Sequence, residues 1–269
     1  MNKNYNTNIA IVFTLSLFLG NSQNETPIYL NPLVNIDDRV EDLMARMSLE
    51  EKVYQMNQFV GLDHMREAEK NITEDELHSN DAQGFYKGLF SNDVAEMTRR
   101  GEIGSFLHVL TPEESNLLQD LALQSRLKIP VLIGIDAIHG NALVSGTTVY
   151  PSPITLASTW SDDFLEIIGK QTAKEMRATG SHWTFTPNID VVRDPRWGRV
   201  GETFGEDHLL VGNLGVAMIR GFQQEDFTGK EKVIACAKHM IAGGESINGL
   251  NAAPMDVSMR TLKEVHLKP

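Results

Sequence analysis

The sequence predicts an α/β protein built on a parallel sheet. Short, almost wholly apolar runs alternate along the chain with amphipathic helical patterns, as expected when helices cover both faces of a parallel sheet. Charged residues gather where the predicted strands end. The carboxyl ends of parallel strands are where such proteins bind ligands, so these charged residues are the candidate site.

The predicted domain begins with helices. Val40, Leu43 and Met47 recur at helical spacing, and Ser48 with Glu51 forms a capping box that opens a second helix. The stretch 61–100 is polar and poorly periodic. It is predicted to be a surface excursion of short helices.

Four buried strands are predicted after this stretch, with helices between them. Thr111 and Ser161 are predicted helix caps, and a third helix, 206–220, is predicted to stop at Gly221. The predicted strands, one of them with its turn, are 103–109, 131–135, 183–192 and 233–237.

Composition excludes several classes of protein. With 24 basic and 36 acidic residues the net charge is −12, so the chain lacks the positive charge of a nucleic-acid binder. Its single cysteine, Cys236, excludes an internal disulfide and any Cys-x-x-Cys metal or redox site. No cofactor and no metal are expected.

The first 22 residues are predicted to be a signal peptide. Lys3 precedes the apolar stretch 9–19, and small residues follow at 20–22. Cleavage would leave residues 23–269 as the domain, in the periplasm or secreted, without membrane attachment. A retained signal anchor is the alternative.

Three consecutive predicted strands deliver charged residues to one edge of the sheet. Asp136 follows the second strand, the loop 193–199 follows the third, and Lys238 and His239 end the fourth. Taken singly, each has a plainer explanation, such as a turn aspartate. Their convergence favours a binding site.

The loop 193–199 is the most unusual segment, because it holds a proline, a tryptophan and three arginines in seven residues. A guanidinium and an aromatic ring on a rigid loop suit a hydroxyl-rich ligand. The alternatives are a structural ion pair of Asp194 with Arg196 or Arg199, and a Trp197 buried in the core.

These motifs resemble the N-terminal domain of glycoside hydrolase family 3, of the β-glucosidase type. The order of the motifs is the order found in that family. The matching stretches are 43–52, 134–140, 186–199, 202–207, 237–239 and 260–267.

The resemblance implies a retaining, exo-acting glycosidase whose first domain is a (β/α)8 TIM-like barrel. By the family motifs, Asp136, Arg199, Lys238 and His239 grip hydroxyls of the terminal sugar. The expected substrate is a β-glucoside or oligosaccharide, and a β-xyloside is the alternative.

The resemblance also implies that the family's nucleophile lies beyond Pro269 and its acid/base further on. The chain is therefore expected to be an incomplete barrel that needs a C-terminal remainder and is inactive alone. Two other hypotheses stay open. One is a non-catalytic sugar-binding remnant, and the other is a metal-dependent barrel hydrolase using Asp136, His139, His182 and His239.

Overall fold

The computed structural model describes residues 26–70, 73, 86, 88–225 and 229–269. The predicted signal peptide lies outside the described residues. The described residues fall into two compact units, the first ending at Met47 and the second running from Ser48 to Pro269. Within the described ranges, no helix combines the length and the apolar character needed to cross a membrane.

Within residues 26–47, the described part of the first unit, there is one regular helix, α1 (Ile36–Arg46), where apolar spacing predicts it. The Asn35 side chain caps it by accepting a hydrogen bond from the backbone N–H of Asp37 at 2.8 Å. A short 3₁₀ turn, Ile28–Leu30, precedes it, and the Arg46 guanidinium lies over the ring of Tyr29.

The second unit is built on a five-stranded parallel sheet in sequential order β1-β2-β3-β4-β5. The register places Phe59 beside Phe106 and Phe106 beside Ile133. This is the strand arrangement of part of a TIM-like barrel, as predicted. The strands are β1 (Gln58–Val60), β2 (Ser105–Leu107), β3 (Leu132–Ile135), β4 (Trp183–Thr184) and β5 (Ile234–Ala235).

Most of the helices lie between successive strands in the sequence, and apolar side chains of helices and strands pack together in two clusters. The bounds of the helices are α2 (Leu49–Tyr54), α3 (Leu62–Glu69), α4 (Ser91–Arg100), α5 (Pro112–Ala122), α6 (Pro153–Ala157), α7 (Asp162–Ala178), α8 (His208–Gln223) and α9 (Met259–Thr261). The described part of this unit also contains 3₁₀ turns at Val200–Glu202, Gly243–Glu245 and Ile247–Gly249 and a π-helical turn at Leu262–His266.

The predicted helix caps are confirmed. Ser48 and Glu51 make both bonds of the capping box on α2. The hydroxyl of Thr111 accepts from the N–H of Glu114, and that of Ser161 accepts from the N–H of Phe164. These short side chains begin helices reliably because they satisfy N–H groups that have no partner in the first turn.

The prediction of four strands is wrong by one, because β1 was missed. Only three residues long and containing the polar Gln58, it lacks the apolar run of a buried strand. The following stretch is also more than a surface excursion. Met65 of α3 and Val94 of α4 are fully buried in the apolar cluster beneath the first strands.

The prediction that the helix 206–220 stops at Gly221 is wrong. Helix α8 runs through Gly221 to Gln223, and this glycine serves a helix crossing. A Cβ on Gly221 would lie 2.3 Å from the carbonyl oxygen of Glu166 and 2.9 Å from the Cα of Gly169, both on α7. The two helices therefore touch backbone to backbone, which only glycine allows.

We expect Gly221→Ala to destabilise the protein despite alanine's better helix propensity, which is worth about 1 kcal/mol. The added methyl must push α7 and α8 apart, and overpacking of this kind costs about 1–3 kcal/mol. Urea unfolding followed by circular dichroism measures the balance.

The matched control is Asn213→Ala, at an exposed position of the same helix. It should leave stability unchanged or slightly raised. Equal midpoints for the two variants would contradict the crossing.

Candidate functional site

Asp136 lies at the C-terminal end of β3 and is held from two sides. Lys238 Nζ donates to its Oδ1 at 2.6 Å, and His108 Nε2 donates to its Oδ2 at 3.0 Å. The three side chains are 14–32 % exposed, so the cluster is partly open to solvent. A carboxylate has about four acceptor positions, which leaves one free on each oxygen of Asp136 for a ligand hydroxyl.

The environment of Asp136 keeps it ionised. Burial would raise the pKa of this carboxyl, but the hydrogen bonds from His108 and Lys238, together with the positive charge of Lys238, outweigh burial and lower the pKa to about 2. Asp136 is therefore a pure hydrogen-bond acceptor at neutral pH.

Backbone hydrogen bonds fix Lys238 opposite this carboxylate. Its N–H donates to the carbonyl of Pro187 at 3.0 Å, and its carbonyl accepts from the N–H of Ile189 at 2.7 Å. The chain after β5 thus runs alongside the chain after β4. This pairing aims Lys238 at β3 across the strand between them.

Arg199 lies on the loop after β4 and forms a fork-shaped ion pair with Glu202. Its Nε and Nη2 donate to the two carboxylate oxygens at 2.8 and 2.7 Å, and its guanidinium lies 5.9 Å from the centre of the Trp197 ring. The Glu202 bond raises the pKa of Arg199, and the charges of Asp190 and Asp136 add to this. Arg199 is thus within electrostatic reach of the Asp136 cluster.

His239 is tied to a buried carboxylate, Asp190. The Asp190 side chain is fully buried, and its Oδ2 accepts from His239 Nδ1 at 2.8 Å. Its Oδ1 accepts from the N–H of Gly243 at 3.1 Å. The loop after β5 is therefore folded around Asp190.

The prediction that Trp197 presents its ring to a ligand is wrong. The residue is only 3 % exposed, and its Nε1 donates to the side chain of Asn251 at 3.3 Å. The plainer alternative for Asp194 is confirmed, since it forms an ion pair with Arg196 at 2.6 Å. In the loop 193–199, Trp197, Asp194 and Arg196 therefore stabilise the loop and its surroundings rather than face a ligand.

The four residues of the metal hypothesis are held by separate partners. His139 Nδ1 donates to the carbonyl of Tyr150, while His182 Nδ1 accepts from the N–H of Ile133. Burial lowers the pKa of His182 to about 4. Within the ranges that the structure describes, His, Cys, Asp and Glu form no group of three able to hold a metal ion.

Sequence reasoning did not assign three residues that hold the predicted site residues: His108, Asp190 and Glu202. His108 was hidden inside the predicted strand 103–109, whereas β2 ends one residue before it. Its left-handed backbone (φ +56°) is unusual for a residue with a side chain and marks a constrained position. Asp190 was visible at a strand end, but nothing in the sequence pairs it with His239.

Comparison with known proteins finds a match between residues 48–269 and the glycosyl hydrolase family 3 N-terminal domain. A β-xylosidase of Formosa agariphila is 38 % identical over 66 % of this chain and 26 % of its own. A periplasmic β-glucosidase of Salmonella typhimurium is 30 % identical over 87 % of this chain and 27 % of its own.

Solved structures give the same picture. A β-glucosidase from Listeria innocua in complex with glucose is 31 % identical, with a TM-score of 0.70, over 86 % of this chain and 30 % of that chain. The same enzyme in a mutant form has been solved with laminaribiose. The present chain spans about a quarter to a third of the length of these relatives.

We expect acid to weaken the folded protein through Asp136. Its pKa is lower in the folded state, so protonation favours unfolding. Its contribution is complete above about pH 4 and is lost as the pH falls towards 2. From 3.8 to about 2, this amounts to roughly 2 kcal/mol at 1.36 kcal/mol per pKa unit.

Lys238→Met should raise the pKa of Asp136, because a positive charge and a hydrogen-bond donor disappear together. Carboxyl-carbon NMR titration reads this directly. Lys174→Met, which removes an exposed partner of Glu231, is the control and should leave the Asp136 titration unchanged. An unchanged Asp136 titration in the Lys238 variant would contradict the assigned ion pair.

Proposed function

The chain belongs to glycosyl hydrolase family 3 through that family's N-terminal domain, and from this premise we propose that its site binds the terminal sugar of a β-glycoside. The observation that carries the proposal is Asp136, an ionised carboxylate held by one donor on each oxygen at the edge where barrels bind ligands. A β-glucoside or oligosaccharide is the proposed substrate.

The groups around Asp136 suit a ring with several hydroxyls. Asp136 accepts hydrogen bonds, while Lys238 and Arg199 are donors. Hydroxyls both donate and accept, so such a site can hold neighbouring hydroxyls by different groups. Polar sites of this kind discriminate strongly, because a missing hydroxyl leaves a buried group unpaired.

The choice between glucoside and xyloside stays open within this proposal. Two relatives are named β-xylosidase and β-glucosidase respectively, and the Listeria innocua enzyme has been solved with glucose. We infer a preference for β-D-glucosyl residues at the non-reducing end, in carbohydrate breakdown. Parallel binding measurements with methyl β-D-glucoside and methyl β-D-xyloside would decide between them.

We propose that residues 23–269 by themselves bind sugar without hydrolysing it. Retaining hydrolysis needs two carboxyl groups about 5 Å apart, one of them free to attack. The three carboxylates described above all have protein partners: Asp136 is bonded to Lys238 and His108, Glu202 to Arg199, and Asp190 to backbone and imidazole N–H groups. We propose that the nucleophile and the acid/base are supplied by a C-terminal remainder of the enzyme.

We also propose export through the N-terminal 22 residues. The support is the apolar stretch 9–19 behind Lys3 and the periplasmic relative from Salmonella typhimurium. Sequencing of the mature protein after cell fractionation should give a terminus near Gln23. An intact Met1 in the cytoplasm would contradict export.

We expect Asp136→Asn to weaken the binding of methyl β-D-glucoside about tenfold or more. The amide replaces one acceptor oxygen by a donor and removes the charge that holds Lys238, a change typically worth 1–3 kcal/mol. Calorimetric titration measures the dissociation constant.

Asp194→Asn is the matched control, because the side chain of this aspartate pairs with Arg196 and shares no hydrogen bond with Asp136 or Lys238 among the described residues. Its affinity should equal that of the wild type.

Nitrophenol release from an aryl glucoside should be absent in all three proteins. Wild-type affinity in Asp136→Asn would overturn the assigned site, and hydrolysis by the wild-type chain would overturn the claim that it only binds.

A further inference from the structure

The buried carboxylate of Asp190 receives three N–H groups from a single turn. These are the Nδ1–H of His239 at 2.8 Å, the backbone N–H of His239 at 3.4 Å and the backbone N–H of Gly243 at 3.1 Å. The approach is close, since a Cβ on Gly243 would lie 3.1 Å from Oδ1 of Asp190. The backbone at Asp190 is also held, because its N–H donates to Oδ1 of the Asn188 side chain at 2.9 Å.

This arrangement decides which nitrogen of His239 carries the proton. An ionised carboxylate only accepts hydrogen bonds, so the nitrogen that faces it, Nδ1, must be protonated. In a neutral imidazole the other nitrogen is then an acceptor. No partner for Nε2 of His239 occurs among the hydrogen bonds of the described residues, and the residue is partly exposed.

We propose that Asp190 is a positioning residue that fixes neutral His239 as its Nδ1–H tautomer, so that Nε2 accepts a hydrogen bond from a sugar hydroxyl. The hydrogen bond from a sugar hydroxyl to Nε2 rests on the proposed function, whereas the tautomer of His239 does not. The site would then contain two acceptors, Asp136 and His239, and two donors, Lys238 and Arg199. A ligand that satisfies this site must have hydroxyls that donate hydrogen bonds to both Asp136 and His239.

The tautomer can be measured without any ligand. In the chain labelled with ¹⁵N-histidine at pH 8.5, two units above the ordinary histidine pKa, ring nitrogen shifts distinguish protonated from bare nitrogen. The His239 signal is assigned by its loss in His239→Gln. We expect a protonated Nδ1 and a bare Nε2.

Asp190→Asn is the informative variant. Its amide NH₂ can donate to Nδ1, which moves the imidazole proton to Nε2. In the Ser-His-Asp triad of serine proteases, the corresponding Asp→Asn substitution leaves the geometry intact but places the imidazole proton on the other nitrogen. Asp194→Asn changes a side chain that bonds Arg196 and, among the described residues, makes no hydrogen bond with His239, so it should leave the His239 signal unchanged.

Sugar binding then tests the consequence. The probes are methyl β-D-glucoside and its four monofluorinated analogues, since fluorine replaces a hydroxyl without being able to donate. At one position, the fluorinated analogue should bind the wild type about tenfold more weakly than the parent, and this loss should vanish in Asp190→Asn. Losses at hydroxyls held by Asp136 should persist in both proteins, so the comparison isolates His239.

A protonated Nε2 in the wild type, with or without a protonated Nδ1, overturns the proposal, as does an unchanged tautomer in Asp190→Asn. If that variant does not fold, the wild type still decides. A slowly exchanging, strongly downfield Nδ1 proton supports the buried bond, and a rapidly exchanging one overturns it. If no glucoside binds while the tautomer is as expected, the proposed function fails and the role of Asp190 stands.

Discussion

The site depends on one ion pair that spans three strands. Lys238 follows β5 and Asp136 follows β3, so β4 lies between them, yet Nζ and Oδ1 are 2.6 Å apart. Neighbouring strands are separated by about 4.8 Å, and only a long side chain can cover the distance from one to the next but one. The lysine side chain therefore runs across the end of β4. His108 holds the other oxygen of the same carboxylate. Arg199 and His239 are held beside this pair by carboxylates of their own, Glu202 and Asp190.

Charge balance explains why so many ionised groups coexist in a half-buried place. Burial alone would raise the pKa of Asp136 and of Glu202, but in each case a basic partner outweighs it, and both remain ionised. The third carboxylate, Asp190, is instead surrounded by N–H groups of the turn 239–243, which donate hydrogen bonds to both of its oxygens. The site is thus preorganised by protein groups before any ligand arrives, which lowers the cost of binding a polar molecule.

The sequence predicted the architecture well wherever local chemistry is strong. Helix caps such as Ser48 and Thr111, and the long apolar strand at 131–135, carry their own signal in side-chain type and spacing. It failed where a residue's meaning depends on a distant partner. β1 is too short for a pattern, Gly221 resembles a stop signal but meets Gly169 of another helix, and Asp190 acquires its role from a turn 49 residues later. Asp136 and Lys238 could be proposed from strand ends, but their direct contact could not.

The contact between Gly169 and Gly221 also constrains the lengths of two helices. Each residue advances an α-helix by about 100°, so removing one residue between Ser161 and Gly169 would rotate a bulky neighbour into the gap where the backbones meet. Single-residue insertions and deletions should therefore be poorly tolerated in either helix between its start and its glycine at the crossing. The close contact of Gly169 with Gly221 therefore holds together the two helices that precede and follow β4, the strand whose following loop carries Arg199.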